Sequence, residues 1–78
     1  SIMALRKRWK PLTRETVGSA PAAYGLIEFG DGEGDIVAVT AGFLPDELRE
    51  ELSYGDAEQV RWQRAQSLEH AERLLEER

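Results

Sequence analysis

Pro21-Ala22-Ala23-Tyr24-Gly25-Leu26-Ile27-Glu28-Phe29, followed by Gly30-Asp31-Gly32-Glu33-Gly34-Asp35 and Ile36-Val37-Ala38-Val39-Thr40-Ala41-Gly42, decides how the chain is read. The first segment has little polar interruption, which implies a strand covered on both faces. Three glycines and two aspartates then supply a hairpin connection, and Asp35 to Thr40 returns as a second strand rich in β-branched residues. Gly42 releases the chain into Leu44-Pro45-Asp46-Glu47-Leu48-Arg49-Glu50-Glu51-Leu52. Pro45 suits a first helical turn, Asp46 and Glu47 suit its positive end, and Leu44, Leu48 and Leu52 form an apolar stripe at four-residue spacing.

Downstream, Tyr54-Gly55-Asp56 ends that helix, and Val60 and Trp62, interleaved with Arg61 and Arg64, indicate a short third strand, amphipathic or at an edge. Ser67 is placed to cap a final helix with Leu68, Ala71, Leu74 and Leu75 on its apolar face. Upstream, Thr13 can cap a short helix with Glu15 near its positive end, stopped by Gly18-Ser19-Ala20-Pro21. The expected fold is therefore α+β in the order (α)ββαβα, a three-stranded antiparallel sheet flanked by helices, in one small domain over residues 11–78. Residues 1–10 read as a basic N-terminal arm, and those before Met3 as an expression scar.

Seventy-eight residues bury only about 60–65% of the surface of their unfolded chain, so any site must share residues with the core. Cysteine is absent, which removes disulfides, thiolate metal sites and cysteine nucleophiles, and leaves oxygen ligands and His70 for metal. No long apolar run or secretory pattern is present, so the sequence reads as soluble and cytoplasmic, with no membrane partner. Charge is uneven: residues 1–14 carry +5 and residues 15–78 carry −10, for a net −5. A lysine-poor, arginine-using acidic surface is what a high-salt cytoplasm favours and points to a halophilic, archaeal source. A GC-rich genome would skew the lysine count in the same way. The acidic body argues against duplex binding by the whole surface.

The order of these segments resembles the GIY-YIG endonuclease superfamily. In that family a first strand carries a Gly-Ile-Tyr triplet, a second ends in Tyr-Ile-Gly, the next helix contains Leu-x-x-Arg-Leu, and a later helix supplies a metal-binding glutamate. Trp9, Val17, Pro21 and the span to Leu75 follow that layout, so the likeness covers nearly the whole chain. Placing Ala22-Ala23-Tyr24 on the first triplet keeps the tyrosine; placing Gly25-Leu26-Ile27 there keeps the glycine. The second triplet becomes Thr40-Ala41-Gly42. The arginine position falls on Glu51, with Arg49 at a more variable basic position, and the metal-ligand position falls on Leu75, with Glu72 and Glu76 nearby. The resemblance thus implies a degenerate nuclease frame, leaning away from an enzyme, in which Tyr24, Arg49 and Glu76 are relics and no metal or cofactor is expected. Losing one electrostatic donor in such chemistry costs about 3–4 kcal/mol of transition-state stabilisation, and here several are gone together.

For binding, Arg6, Lys7, Arg8, Trp9 and Lys10, extended by Arg61 and Arg64, could hold nucleic acid, with cations on phosphates and indole stacked on a base. The functional expectation is a non-catalytic binding module on nucleic acid or a ribonucleoprotein assembly. Two alternatives stay open: a structure-selective endonuclease using Mg²⁺ or Mn²⁺ through Tyr24, Arg49 and Glu72 or Glu76, and a protein-interaction or homodimerisation module with no nucleic-acid role. His70 reads as a surface or capping residue, and Tyr24 and Tyr54 as packing residues before acid–base groups.

Overall fold

The computed structural model describes residues 4–78; residues 1–3, with the expression scar read before Met3, lie outside the described residues. The elements are β1 (Lys10–Pro11), α1 (Arg14–Ser19), β2 (Tyr24–Gly30), β3 (Ile36–Phe43), α2 (Leu44–Tyr54), β4 (Gln59–Arg64) and α3 (Leu68–Glu77). The sheet is antiparallel throughout, in the order β1-β4-β2-β3. The α+β class stands, but the sheet has four strands and not the three expected. The added strand is β1, where Lys10 pairs with Val60 and Pro11 with Gln59, and the Leu12 amide continues the contact by donating to the Glu58 carbonyl at 3.0 Å. Two residues, one of them proline, carry no alternating pattern, so only a long neighbouring strand with free backbone groups reveals them.

β2 is the centre, and side-chain alternation gives it two different faces. Ile27 and Phe29 point one way, level with Trp62 and Val60 of β4, and join Leu12, Leu44 and Leu48 in one core against α1 and α2. Leu26 and Glu28 point the other way, toward α3 and the segment preceding β1. There Leu5, Leu26, Gln63 and Leu74 line a hollow of about 290 Å³. Both faces of β2 are thus covered, and Gly25 to Gly30 are all buried.

The local signals act through identifiable bonds. Thr13 Oγ1 accepts from the Thr16 amide at 3.3 Å, and Ser67 Oγ accepts from the His70 amide at 3.0 Å. His70 Nδ1 in turn accepts from the Gln66 amide at 3.1 Å, which completes the cap of α3. In the hairpin, Asp31 Oδ1 accepts from the amides of Glu33 and Asp35 at 2.9 and 3.0 Å, while Gly34 sits at φ +88°, where a side chain would be strained. Replacing Ser67 by Ala should cost about 1 kcal/mol, read as a fall of about 4–8 °C in melting temperature by circular dichroism; an unchanged melting temperature would discount the cap.

The stripe of α2 is shorter than its sequence spacing suggests. Leu44 and Leu48 are fully buried, whereas Leu52 is exposed. Four-residue steps advance about 40° beyond a full turn, so two steps rotate Leu52 off the face that meets the sheet.

Candidate nucleic-acid interface

Glu28 is the most unusual residue of the fold: a carboxylate on the central strand with 0% of its surface exposed. Its Oε1 accepts from Arg61 Nε at 2.6 Å, and its Oε2 accepts from the Leu5 amide at 3.0 Å and forms an ion pair with Arg78 Nη2, also at 3.0 Å. The register explains the first pair, because Arg61 of β4 stands directly opposite Glu28 on the same face. The Arg61 and Arg78 side chains are only 13% and 12% exposed, so this is an interior ion cluster with two cations for one anion. Arg78 Nη1 is buried without a hydrogen-bond partner among the described residues.

Trp9 closes the cluster from outside. The Arg61 guanidinium lies 4.0 Å from its ring centroid, and the ring rests on Gly30, where an added Cβ would come within 2.7 Å of it. Arg61 Nη1 also donates to the Lys7 carbonyl at 3.1 Å. The segment from Leu5 to Lys10 is thereby laid along the sheet by its backbone and its indole, and the exposed side chains of Arg6, Lys7, Arg8 and Lys10 project from a fixed track.

A groove of about 180 Å³ opens at this edge, lined by Lys7, Arg8, Lys10, Arg61 and Trp62. Lys10 Nζ sits 5.1 Å from the Trp62 ring centroid, a cation–π contact. Arg64 lies two residues beyond Trp62 on the same face of β4 and is exposed; with Tyr24, Phe43 and Gln66 it lines a second hollow of about 630 Å³. Tyr24 packs edge-to-face on Phe43, ring centroids 5.4 Å apart.

The residues anticipated from the sequence are therefore distributed as follows. Lys7, Arg8, Lys10 and Arg61 meet in one groove, Trp9 backs it by stacking on Arg61, Arg6 lies toward the α3 side, and Arg64 stands at the far end of β4. Tyr24, Arg49 and Glu76 do not share a site. Arg49 faces outward on α2, 3.3 Å from Asp46, in a separate hollow with Glu50, Ser53 and Tyr54, and Glu76 is on the exposed side of α3. Tyr54, anticipated as a packing residue, is 89% exposed, at the C-terminal end of α2. Glu51, at the position of the family arginine in the resemblance, has a local structural role: its Oε2 accepts from the Ala57 amide at 3.2 Å and so fixes the turn into β4. The Glu47 carboxyl is raised above the ordinary range by burial, and then by Glu50 and Asp46 beside it. Among the described residues no three His, Cys, Asp or Glu side chains gather as a metal site, and no helix is long and apolar enough to cross a membrane.

One residue of this arrangement, Glu28, has no role in the sequence reading, and a second, Trp62, is read there as a strand residue among Arg61 and Arg64. Glu28 was signalled by being the lone acid in a strand inferred to be covered on both faces, since such a carboxylate needs cationic partners. Trp62 was legible as a strand residue, but its place in the groove depends on the pairing of β1 with β4.

Fold and groove together define a small α+β domain with a cationic edge on an otherwise acidic body. The chain belongs to the family described as a domain of unknown function, DUF7508, which it matches over residues 3–78. Comparison with the curated proteins and with the solved structures gave no match.

Proposed function

We propose that this domain is a non-catalytic binding module that grips the phosphate backbone of nucleic acid, alone or within a ribonucleoprotein assembly, through the groove where the Lys7–Lys10 segment runs beside β4. The observation that carries this reading is the lining of that groove: four cationic residues and a tryptophan, with no acid, on a chain of net charge −5. Lys7, Arg8 and Lys10 are exposed and serve as phosphate contacts. Trp62 offers an aromatic wall for a base, and Arg64 continues the path along β4. Arg61 and Trp9 act differently from the exposed lysines: their mutual stacking and the Glu28 bond hold the floor of the groove. A degenerate GIY-YIG-like frame is part of the proposal, supported by the hairpin–helix–strand–helix order, and the separation of Tyr24, Arg49 and Glu76 supports its non-catalytic character. The acidic remainder suits a halophilic source and limits contact to this one edge.

The test is tryptophan-fluorescence titration with single-stranded RNA and DNA oligonucleotides across a salt series. Binding should weaken with salt, and the Lys7→Ala, Lys10→Ala double variant should lower the slope of log K against log salt by about 1.4, the single-strand value for two lost phosphate contacts. The Lys7 bond to Arg61 uses a backbone carbonyl and survives the substitution. Absence of affinity at low salt, or an unaltered slope in a folded double variant, would refute the reading.

A further inference from the structure

We propose that the outer edge of β3 is an interface between two copies of this chain, which join antiparallel across a two-fold axis into one continuous eight-stranded sheet. The two edges of the sheet are unlike. On the β1 side the edge is short, contains Pro11 with no N–H to offer, and bears Lys10, features that discourage strand addition. The β3 side ends in an eight-residue strand, Ile36 to Phe43, with no charged residue and no proline. Ile36 and Val37 are exposed, Val37 at 54%.

The hydrogen-bond pattern shows which groups are free. The Leu44 amide donates to the Ala23 carbonyl at 2.8 Å, and the Ala65 amide to the Tyr24 carbonyl at 2.8 Å. Successive β2 residues therefore bond alternately toward β3 and toward β4, as an antiparallel ladder requires. Counting along the register, Gly42, Thr40 and Ala38 face β2, while the backbone groups of Val39 and Ala41 point away from the sheet. Neither Val39 nor Ala41 has another backbone or side-chain partner among the described residues, whereas the Phe43 carbonyl is taken up as the N-cap of α2.

A second copy is the occupant that best matches this edge. An antiparallel pairing centred on Thr40 sets Val39 against Ala41 of the other copy, and Ala41 against Val39, so that outward donors meet outward acceptors twice by symmetry. With no charge between Ile36 and Phe43, self-pairing opposes no like charges despite the acidic body. Head-to-tail addition of β3 to another copy's β1 is disfavoured because β1 offers two residues, one lacking a donor. The pairing at Phe29 and Gly30 skips Val37, a bulge that turns the first residues of β3 outward and confines the new ladder to Val39 and beyond. This interface lies on the edge opposite the groove and does not depend on nucleic-acid binding.

The experiment combines sedimentation equilibrium of the full chain up to millimolar concentration with amide exchange by NMR over the same range. The expected result is a monomer–dimer equilibrium in which the Val39 and Ala41 amides become protected as concentration rises while that of Thr40, already bonded to β2, does not change. Val39→Pro removes an outward donor and should abolish the dimer; Thr40→Lys, at a half-exposed position that faces its own copy across the two-fold axis, should weaken it by up to about fivefold through directly opposed like charges. Should Val39→Pro fail to fold, Thr40→Lys and the exchange data decide alone. A monomer at every concentration, an association that leaves Val39 and Ala41 unprotected, or protection only on adding an extended peptide of another sequence would overturn the proposal.

Discussion

Glu28→Gln should lower the stability of this domain by about 3–5 kcal/mol, the cost of removing one partner from a buried ion cluster. A chain of this length has about 4–12 kcal/mol in total, so the variant should be close to unfolding at room temperature. The amide keeps the shape of the carboxylate and removes its charge. Arg61 and Arg78, their side chains only 13% and 12% exposed, would then face each other's positive charge with only a neutral group between them. Urea denaturation followed by tryptophan fluorescence reads the loss. The complementary expectation separates charge from packing: Glu28→Leu with Arg61→Met and Arg78→Met leaves no ion to pair, and should recover most of the stability because apolar replacement of a whole buried cluster is commonly neutral or better. A Glu28→Gln protein within about 1 kcal/mol of the parent, inside the range of ordinary surface substitutions, would show that water reaches the cluster and that it is not a stabilising centre.

Leu48→Ala should cost about 2–5 kcal/mol, the range for truncating a buried leucine. Leu48 is fully buried with Leu44 against Ile27, Phe29 and Val60, and the other residues of α2 are largely polar or acidic. These two leucines hold the helix to the sheet, and halving that contact leaves a cavity that neighbouring β-strands cannot collapse to fill. Leu52→Ala is the internal control: the same change on the same helix at the next four-residue step, but on an exposed side chain, should cost less than about 1 kcal/mol. Equal losses at the two positions would mean that α2 contributes by helix propensity and not by its packed face. Calorimetric melting of both variants distinguishes these outcomes.

Most of the architecture could be read from the chain because its signals are local. Thr13 and Ser67 cap helices through bonds spanning three residues, and Gly34 with Asp31 closes a hairpin whose strands begin and end within a few residues of their expected limits. Leu44 and Leu48 mark the buried side of α2 for the same reason. What could not be read depended on register between distant segments. β1 exists only because β4 offers it an edge, and the partnership of Glu28 with Arg61 spans thirty-three positions. Trp9 illustrates the same limit: by type it reads either as a base-stacking residue or as a cover for the edge of the small core, and the surfaces it covers, Gly30 and the Arg61 guanidinium, lie far along the chain. The cationic residues of the candidate site were identifiable by type, whereas their division into groove-lining side chains and structural ones was set by which face of β4 each occupies.

One atom, Glu28 Oε2, receives both the Leu5 amide and the Arg78 guanidinium at 3.0 Å. The opening and closing segments of the described chain are therefore spatial neighbours fastened to a common point, and fraying at either one must loosen the other. A short glycine tether across this junction could carry a circular permutant reopened at the Gly32–Glu33 tip, leaving strand order and groove intact.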